Sequence, residues 1–538
     1  RQFIGKSGDL LRDRIDAEFS DFKKRIRWNN TVRTRPWEYR KPSGDPHATE
    51  RVYNRTPTQI EIACCRPSVQ DDIVASKPKA IFGFGNIPLH WATGFSGISA
   101  WRGRRMPLKI GSHVCWYYPM VHPSYLLRQG RRAARRGFAE PAIDSVPSDM
   151  RLPSEMERMY VFDLRRAFGE IEDLPEAKLW EPSDALSNTT LVTECTDAAL
   201  VVIQQELDYM ADQPVVGIDY ETSAVRPYAK GARILTAAVS TPTRGLAFGI
   251  NHPGCTWSTK QRERLVHMWK QFLIKCRGVK AVHNLIFELE WTGKVFGKEF
   301  VRAGKWECTQ TQASTLDERP HGTKPGPLSL EFLSMVRYGL NIKQLAPVDR
   351  KHLDKVPLPN VLEYNALDAR TLCKLAIDQR KDIKEQGLSK AHGYMLRRVP
   401  ALALSQLKGL PVSQKYVRDL DRKYTTRIAE TKKEIAAHKH AKLFKQIKNR
   451  EFGPLAAKDA IELYRDILKR KEVHLEVKAK DINRKQEAAN QDFGSSDEAA
   501  EDQKDSANKA VLKAIGGRLP NLILRVREAN KRHSSYVI

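Results

Sequence analysis

Short apolar runs separated by polar residues give the first indication of strands along the chain. Residues 215–218 (VVGI) form an apolar run that polar residues follow, which predicts a buried strand. Residues 77–91 (KPKAIFGFGNIPLHW) indicate a strand, a glycine turn and a helix. Residues 115–121 (CWYYPMV) predict another strand, which ends immediately before His122. Strands and helices that follow one another in this way indicate an α/β protein.

Polar side chains at the end of the 215–218 run predict one half of a candidate site. Side chains alternate along a strand, so Asp219 and Glu221 point the same way. A second segment, at 280–291, begins with apolar residues and then places Glu288 and Trp291 one helical turn apart. The sequence therefore offers three carboxylates at the ends of two apolar segments.

A third polar segment adds a phenol and a fourth carboxylate. Residues 362–372 predict a helix in which Tyr364 and Asp368, four positions apart, share one face. Two divalent cations roughly 3.5 to 4 Å apart can clamp the attacking and leaving oxygens of a phosphodiester, and they need several hard oxygen ligands. We expect two Mg²⁺ or Mn²⁺ ions, held by Asp219, Glu221, Glu288 and Asp368.

The order and spacing of these segments resemble the 3′→5′ exonuclease domain of family A DNA polymerases. That family has an Asp-x-Glu motif in an apolar strand, an Asn with an aspartate four residues later, and a Tyr-x-x-x-Asp motif. In the second motif Glu288 follows Asn284, where the family usually has aspartate. The resemblance implies an RNase H-like fold with a mixed sheet, in which Tyr364 orients the attacking water and the four carboxylates hold the metals.

The charge balance of the chain favours a nucleic acid as its partner. The 538 residues include 91 Lys and Arg against 64 Asp and Glu, a formal net charge of +27. A charge of that sign favours contacts with DNA phosphates, which release counterions. No run of about 18 apolar residues occurs, so the sequence predicts no membrane partner. Of the eight cysteines only Cys64 and Cys65 lie close together, which indicates a reducing, cytoplasmic setting.

The N-terminal part of the chain resembles family 4 uracil-DNA glycosylases. The motifs that carry the resemblance are RQFIGKSGDLL at the start, NNTVRTRP, EIACC, PKAIFGFG, SAWRG and HPSYLLR. The resemblance covers residues 1–170 and ends in the helical segment YVFDLRRAF. It implies an α/β domain. The sequence leaves open whether this domain excises uracil or is a retained fold that only binds DNA.

The glycosylase resemblance implies roles for four residues. Phe3 would stack on a flipped uracil, and Asn30 would recognise its amide edge. His122 would stabilise charge on the uracil oxygen, and Leu126 would insert into the vacated base stack. The family's motif for the attacking water, rich in glycine, alanine and proline, is missing before Phe3. The resemblance therefore supports recognition of uracil more than its hydrolysis.

An iron-sulfur cluster, which the glycosylase family carries, is not expected in this chain. Thr34 occupies a position where the family has a cluster cysteine, whereas Cys65 fits the next ligand position. One cysteine cannot hold a cluster that needs four ligands.

An arginine-rich run follows the His-Pro-Ser segment. The run at 128–136 (RQGRRAARR) is either a solvated charge cluster or a clamp for the DNA backbone, and its position after His122 favours the clamp. The phosphate contacts that we expect there are Arg128, Arg131, Arg132, Arg135 and Arg136. Residues 176–195 are expected to link the glycosylase-like domain at 1–175 to the exonuclease domain at 196–392.

Residues 393–538 resemble the beginning of the thumb of a family A polymerase. The family's Gly-x-x-Val turn occurs at Gly409 to Val412, and the polar residues 484–508 predict a mobile insertion. Residues 523–537 predict the second long thumb helix, with an ordinary basic helical hairpin as the alternative. The candidate contacts of this helix with primer-template phosphates are Arg527, Lys531 and Arg532.

Together these resemblances indicate the N-terminal part of a phage-type family A DNA polymerase that acts in DNA replication. Its partners would be single-stranded 3′ ends, primer-template DNA and a processivity factor, in the cytoplasm of the host. The palm and fingers would follow on the same polypeptide, or they would belong to another chain that pairs with this one. A third interpretation is a non-catalytic DNA-binding scaffold in which both pockets have lost their activity.

Overall fold

The computed structural model describes residues 5–40, 51–127, 155–317, 326–470 and 508–536. Three sets of residues that the sequence singles out lie outside these ranges. They are Phe3, the arginines of the 128–136 run, and the predicted insertion apart from Asn508. Among the helices of the described ranges, none is both long and apolar enough to cross a lipid bilayer.

The chain divides into two compact units. One unit comprises Arg1–Arg35 and Pro57–Gly409, and the other comprises Pro36–Thr56 and Leu410–Ile538. The smaller unit begins with an antiparallel hairpin, in which β1 (Trp37–Arg40) pairs with β2 (Arg51–Asn54).

The N-terminal domain of the larger unit is a three-stranded sheet surrounded by helices. The strands are β3 (Ala80–Phe84), β4 (Met106–Ile110) and β5 (His113–Met120). Their order is β3-β5-β4, with β3 parallel and β4 antiparallel to the central β5. The helices are α1 (Lys6–Glu18), α2 (Gln59–Ser76), α3 (Asn86–Thr93), α4 (Ile98–Trp101) and α5 (Glu155–Glu170).

The core of this domain joins its first and last helices. Leu11 of α1 and Leu164 of α5 are fully buried and belong to the same apolar cluster as Tyr118 and Met120 of β5. Phe168 of α5 stacks on Phe19, with ring centroids 4.4 Å apart. The segment that follows the 128–154 gap therefore returns to the same domain.

A six-stranded mixed sheet forms the centre of the second domain in the larger unit. Its order is β11-β10-β7-β8-β9-β6, in which β7 is antiparallel to β8 and parallel to β10. The strands are β6 (Thr189–Val192), β7 (Val215–Thr222), β8 (Ile234–Ser240), β9 (Gly245–Gly249), β10 (Val279–Val282) and β11 (Lys305–Cys308). The two domains together give the α/β fold that the sequence predicts.

Ten helices of the described ranges surround this sheet. The long helix α13 packs across β7, β8 and β9, and its first residues bury Leu358 and Leu362. The bounds are α6 (Pro182–Leu186), α7 (Asp197–Ala211), α8 (Thr259–Lys275), α9 (Leu285–Val295), α10 (Thr309–Leu316), α11 (Leu330–Tyr338), α12 (Ile342–Leu345), α13 (Leu358–Glu385), α14 (Ser389–Arg397) and α15 (Val399–Lys408).

Part of the predicted linker belongs to the sheet. Residues 182–192 of the predicted 176–195 linker form α6 and β6, and β6 pairs in parallel with β9 at the edge of the sheet. Val192 is buried in the core, and Arg370 of α13 donates hydrogen bonds to the carbonyl oxygen of Ser187 at 2.5 Å and to Thr189 Oγ1 at 3.0 Å. These bonds anchor the segment, so the connection between the domains ends before residue 182.

The two domains of the larger unit share a contact surface. The indole of Trp101 in α4 packs on Phe332 of α11, with ring centroids 4.3 Å apart. Next to it, Arg104 Nη2 lies 2.9 Å from Asp317 Oδ2. The contact combines a buried aromatic pair with an ion pair that neutralises one of the many arginines of the N-terminal domain.

The smaller unit is mainly helical. Its longest helices pack on each other. Their apolar core includes Ile435, Phe444, Leu463, Leu522 and Val526. The helices are α16 (Gln414–Ala437), α17 (Lys439–Lys448), α18 (Ala457–Ile461), α19 (Lys509–Ile515) and α20 (Arg518–Tyr536), with a π-helical turn at Glu462–Ile467.

Helix α20 contains nearly all of the segment predicted as the second long thumb helix. The three cations expected to contact DNA there have different surroundings. Arg527 Nε donates to the carbonyl oxygen of Pro454 at 2.8 Å, so this guanidinium stabilises the fold of the unit. Arg532 Nη2 donates to Glu528 Oε1 at 2.7 Å, one turn earlier on the helix. Lys531 is exposed. Asn508, placed at the end of the predicted insertion, caps α19 through its side-chain oxygen.

Candidate active site

The close packing of α13 on β7 creates the site. A Cβ atom on Gly217 of β7 would collide with the carbonyl oxygen of Ala369, so only glycine allows the helix to approach the strand this closely. Asp368 precedes Ala369 on the helix, and Asp219 lies two residues beyond Gly217 on the strand. The missing side chain of Gly217 therefore lets the two carboxylates approach each other.

The register of the sheet leaves one side of β7 open at this point. Strand β10 pairs with β7 only at Val215 to Gly217, whereas β8 continues alongside β7 up to Thr222. Asp219 and Glu221 thus lie beyond the part of β7 that β10 covers, near the start of α9 at Leu285. Helix α9 carries Glu288 in its first turn.

The structure brings three of the four predicted carboxylates into one group. One ligand oxygen from each of Asp219, Glu221 and Asp368 lies within 4.8 Å of the other two. Glu288 is not part of this group, but it is only 2% exposed and is close enough for the charges of Asp219 and Glu221 to raise its pKa. The strand supplies two carboxylates of the site, and α9 and α13 supply one each.

Burial and mutual repulsion make this group costly in the absence of a cation. Burial raises the pKa of the carboxyl groups of Asp219, Glu221 and Asp368, and neighbouring carboxylates add to the rise for Asp219 and Glu221. Burial also raises the pKa of Glu288 well above the usual range, and the charges of Asp219 and Glu221 raise it further. Four acids that share a desolvated space favour a bound positive charge.

Two buried carboxylate oxygens, one of the group and one of Glu288 beside it, fit the role of metal ligands. Within the described part of the chain, Glu288 Oε2 and Asp368 Oδ1 are buried and have no hydrogen-bond donor. A buried acceptor without a donor is costly, and a divalent cation would supply what it lacks. Carboxylate oxygens are hard ligands, which suit Mg²⁺ and Mn²⁺.

Glu290, the nearest other acid on α9, points away from this role. Its carboxylate is fully buried, and its Oε2 atom lies 2.7 Å from Arg226 Nη1. Its Oε1 atom, like Glu288 Oε2, has no hydrogen-bond partner in the described ranges, so the ion pair with Arg226 is what distinguishes the two acids. This pairing neutralises Glu290 with a cation of the protein itself. Glu288 is therefore the acid of α9 that remains for the carboxylate group.

Tyr364 and Arg350 interact with the carboxylates and with each other. Tyr364 is 2% exposed, burial raises the pKa of its phenol, and a hydrogen bond from Tyr364 acts to lower the pKa of Asp368. The guanidinium carbon of Arg350 lies 5.4 Å from the centroid of the Tyr364 ring. The charge of Arg350 acts to lower the pKa of Asp219, Glu221 and Asp368 alike.

His283 and Asn284 shape the entry to α9. Burial lowers the pKa of His283 to about 4, so the ring is neutral near neutral pH, and its Nδ1 atom lies 2.8 Å from Thr309 Oγ1. Asn284 has a left-handed backbone, with φ of 66°, at the N-cap of α9. The two residues turn the chain from β10 into the helix that carries Glu288.

A second candidate site is a cavity of about 380 Å³ in the N-terminal domain. Asn30 and Thr31 line it together with the β3 residues Phe82 and Phe84 and the helix residue Trp91. Asn29 donates from Nδ2 to Asp72 Oδ2 at 2.8 Å and accepts the Asn30 amide proton at 2.9 Å. Asn29 thus fixes the loop, and Asn30 is the asparagine left to contact a ligand in the cavity.

Residues 1–144 match the model of the uracil DNA glycosylase superfamily. The N-terminal domain is a uracil DNA glycosylase superfamily domain. No curated protein matches the chain. The predicted N-terminal resemblance is confirmed at the level of this superfamily.

His122 in this glycosylase superfamily domain follows β5 and is held in one orientation. The amide of Ser124 donates to His122 Nδ1 at 3.1 Å, so a neutral ring carries its proton on Nε2. A Cβ atom on Gly85 would lie 3.3 Å from His122 Cβ, which shows how closely the turn after β3 approaches the imidazole. Leu126 is half-buried and packs against the core of the domain.

A comparison with solved structures finds similarity to nucleases and to a DNA polymerase. NrnC of Brucella melitensis with bound Mg²⁺ is 18% identical with a TM-score of 0.28, and the similarity covers 41% of this chain and 92% of NrnC. The POL domain of Pol1 from M. smegmatis, in complex with DNA primer-template and dNTP, is 12% identical with a TM-score of 0.38. That similarity covers 62% of this chain and 47% of the POL domain chain. The catalytic core of RRP6 from Trypanosoma brucei is 14% identical with a TM-score of 0.30, and the similarity covers 40% of this chain and 52% of the RRP6 chain.

Sequence reasoning missed two residues of the carboxylate site. Asn365 donates from Nδ2 to Asp219 Oδ2 at 2.7 Å and accepts from Thr236 Oγ1 at 2.9 Å. Its position directly after Tyr364 was the only signal in the sequence. Arg350 lies in a loop without any motif, so nothing in the sequence pointed to it.

Proposed function

We propose that this chain is the N-terminal part of a phage-type family A DNA polymerase, and that its sheet domain is a 3′→5′ proofreading exonuclease. The observation that supports this activity best is the group formed by Asp219, Glu221 and Asp368, whose ligand atoms lie within 4.8 Å of one another. Glu288, buried beside the group, would complete the set of four metal ligands. A site of this kind suits hydrolysis of a phosphodiester by in-line displacement.

Two divalent cations, when bound by these carboxylates, would stabilise negative charge on the phosphate oxygens. The residues of the chain would position the other reactants. Tyr364 would orient the attacking water by hydrogen bonding, because burial raises the pKa of its phenol and the hydroxyl keeps its proton. The water oxygen bonds to phosphorus and gives up a proton to solvent. The bond from phosphorus to the 3′ oxygen of the preceding nucleotide breaks, this 3′ oxygen takes a proton from solvent, and the terminal nucleotide leaves as a 5′-monophosphate.

The glycosylase superfamily domain would bind DNA in the same polypeptide. Asn30 lines a cavity of about 380 Å³ whose other walls include aromatic side chains, a composition that suits a flipped base. His122 is not among the residues that line this cavity, so the contact of its imidazole with a base oxygen rests on the glycosylase resemblance alone. We propose recognition of uracil-containing DNA for this domain.

The helical unit would be the start of the polymerase thumb. Lys531 and Arg532 are both exposed, and Arg532 donates one hydrogen bond to Glu528 on the same helix. These two cations can therefore contact primer-template phosphates. Arg527 is used within the fold instead. The palm and fingers would follow on the same polypeptide or be supplied by a partner chain.

Digestion of a single-stranded oligonucleotide labelled at its 5′ end tests the exonuclease. With Mg²⁺ we expect the wild-type chain to shorten it from the 3′ end, and Asp219→Ala to cut turnover by orders of magnitude while single-strand binding is retained. The control is Asp212→Ala, which removes an exposed carboxylate of the same domain. If Asp219→Ala digests a frayed primer end as fast as the wild type, the assignment is wrong. Binding without digestion by the wild type would favour a scaffold.

A further inference from the structure

Arg350 is a cation at the carboxylate site that the proposed reaction has not yet used. It lies in the loop between α12, which ends at Leu345, and the short 3-10 turn Leu353–Lys355. Its guanidinium carbon is 5.4 Å from the centroid of the buried Tyr364 ring. This cation–π contact holds the end of a long exposed side chain over the residue that would orient the attacking water.

The hydrogen-bond donors of Arg350 remain uncommitted. In the ranges that the structure describes, its guanidinium makes no hydrogen bond and no ion pair, although the charges of Asp219, Glu221 and Asp368 act to raise its pKa. Its charge nevertheless influences Asp219, Glu221 and Asp368, since it acts to lower the pKa of each. An arginine that faces an acidic site without pairing to it keeps its planar donors available for a ligand.

The charges of the site define which ligand this would be. Four carboxylates carry four negative charges, and two divalent cations would balance them. A phosphodiester brings one further negative charge, and a second develops while the water attacks. Arg350, held over the Tyr364 ring, would offset this added charge, and its fork of donors matches two oxygens of a phosphate.

We propose that Arg350 is a substrate-contacting catalytic residue, which binds the terminal phosphodiester of a DNA 3′ end on the Tyr364 side of the site. This inference rests on the proposed exonuclease function. In this proposal Arg350 contributes to substrate binding, whereas the metals bind to the carboxylates without it. It differs from a role as a counter-ion, in which Arg350 would only reduce repulsion among the carboxylates of the metal-free protein.

The experiment compares Arg350→Met, Arg350→Lys and the control Lys351→Met. Lys351 is the next residue of the same loop and is exposed, so its replacement removes an equal charge from nearly the same place. Three quantities are measured for each protein: the single-turnover rate on a single-stranded oligonucleotide with saturating Mg²⁺, the affinity for thymidine 5′-monophosphate with Ca²⁺, and the melting temperature in a chelator. The nucleotide carries the phosphate that the proposed cleavage releases.

A substrate contact predicts a specific pattern. Arg350→Met should lower the single-turnover rate roughly 100-fold, as loss of a transition-state donor does. It should also weaken binding of the nucleotide roughly 10-fold, because a charge-assisted hydrogen bond is lost. Arg350→Lys should recover part of the affinity and less of the rate, because lysine lacks the planar fork. Lys351→Met should change either quantity by less than about twofold, since an exposed charge is screened.

Other outcomes overturn the inference. If Arg350→Met has the wild-type rate and affinity, Arg350 does not contact the substrate. If its only effect is a lower melting temperature in the chelator, Arg350 is a counter-ion. The wild type and Asp219→Ala separate this failure from failure of the proposed function: a wild type that digests DNA together with an unaffected Arg350→Met removes only the inference. A wild type that neither digests DNA nor binds the nucleotide removes both.

Discussion

Asn365 donates a hydrogen bond of 2.7 Å to Asp219 and thereby ties α13 to the central strand β7. The amide oxygen of Asn365 accepts in turn from Thr236 Oγ1 of β8, at 2.9 Å. Both Asn365 and Thr236 are fully buried. The chain of bonds fixes which oxygen of Asp219 faces the other carboxylates, so Asn365 is a positioning residue for the proposed metal ligand.

Removal of this bond should loosen the ligand without removing it. Asn365→Ala is expected to lower exonuclease turnover roughly 10- to 100-fold, the usual cost of losing a partner behind a metal ligand, and to raise the Mg²⁺ concentration that gives half the maximal rate. Asn360→Ala, which removes an exposed amide from the first turn of α13, serves as the control. A wild-type dependence on Mg²⁺ in Asn365→Ala would show that the bond has no role in positioning.

The glutamate at position 288 can be tested by two substitutions of opposite effect. Glu288→Asp restores the family's usual side chain, so activity should hold or rise if Glu288 is a ligand. Glu288→Gln removes the charge and should nearly abolish activity. Initial rates of digestion at saturating Mg²⁺ measure both. Equal rates in the two variants and the wild type would remove Glu288 from the site.

Glu290 provides the comparison on the same helix. It is fully buried and paired with Arg226, so Glu290→Gln should lower the melting temperature by leaving that pair incomplete, and it should keep the activity at a temperature where the protein is folded. A loss of activity in folded Glu290→Gln that exceeds the loss in Glu288→Gln would identify Glu290 as the ligand instead.

The sequence predicted the parts of the fold that depend on local pattern. The apolar run before Asp219 is β7, and the helix that carries Tyr364 and Asp368 is part of α13. The edge strand β6 was missed because Thr189–Val192 is only four residues long and has one buried residue. Its anchor, Arg370, lies far away in the sequence, and such a contact leaves no local signal.

The same distinction applies to individual side chains. Asp219 and Glu221 could be assigned to one face from the alternation of the strand alone. The contacts of Arg350, Arg527 and Asn365 arise only when distant segments meet, so their roles could not be predicted. Arg527 is an example: its position on a basic helix predicted a contact with DNA phosphates. In the structure it donates hydrogen bonds to carbonyl oxygens of the 454–456 turn instead.

The stabilising effect of Mg²⁺ should increase with pH. In the metal-free protein the pKa values of Asp219 and Asp368 are raised, mainly by burial, so the folded state binds protons that the unfolded state has released. Stability of the metal-free protein is therefore lost as pH rises through these raised pKa values. A cation displaces the protons and removes the repulsion, so it binds more tightly at higher pH.

Melting temperatures with Mg²⁺ and with a chelator, measured at about pH 6 and about pH 9, provide the test. The difference between the two should be larger at the higher pH, and it should shrink in Asp219→Asn, which has one titrating ligand fewer. A difference that is independent of pH in the wild type would mean that no buried carboxylate titrates on metal binding.

The last prediction concerns Asn30 and the cavity beside it. Uracil and thymine share the amide edge that Asn30 would contact, and they differ by a methyl group. A preference for uracil therefore arises only if Asn30 holds the base deep enough for the walls around Phe82 and Phe84 to exclude that methyl group.

We expect the wild-type chain to prefer a uracil-containing strand over the matching thymine strand by about 1 to 3 kcal/mol, the range for a specific base contact. Asn30→Asp replaces a donor by a negative charge and should erase this preference while general DNA binding remains. Gln59→Glu makes the same change of amide to carboxylate on an exposed position at the start of α2, so it should keep the preference. Titration of labelled strands by fluorescence anisotropy measures all three proteins. Equal affinity of the wild type for both strands would remove uracil recognition and leave this domain as a general DNA-binding module, because the walls around Phe82 and Phe84 would then not exclude the methyl group of thymine.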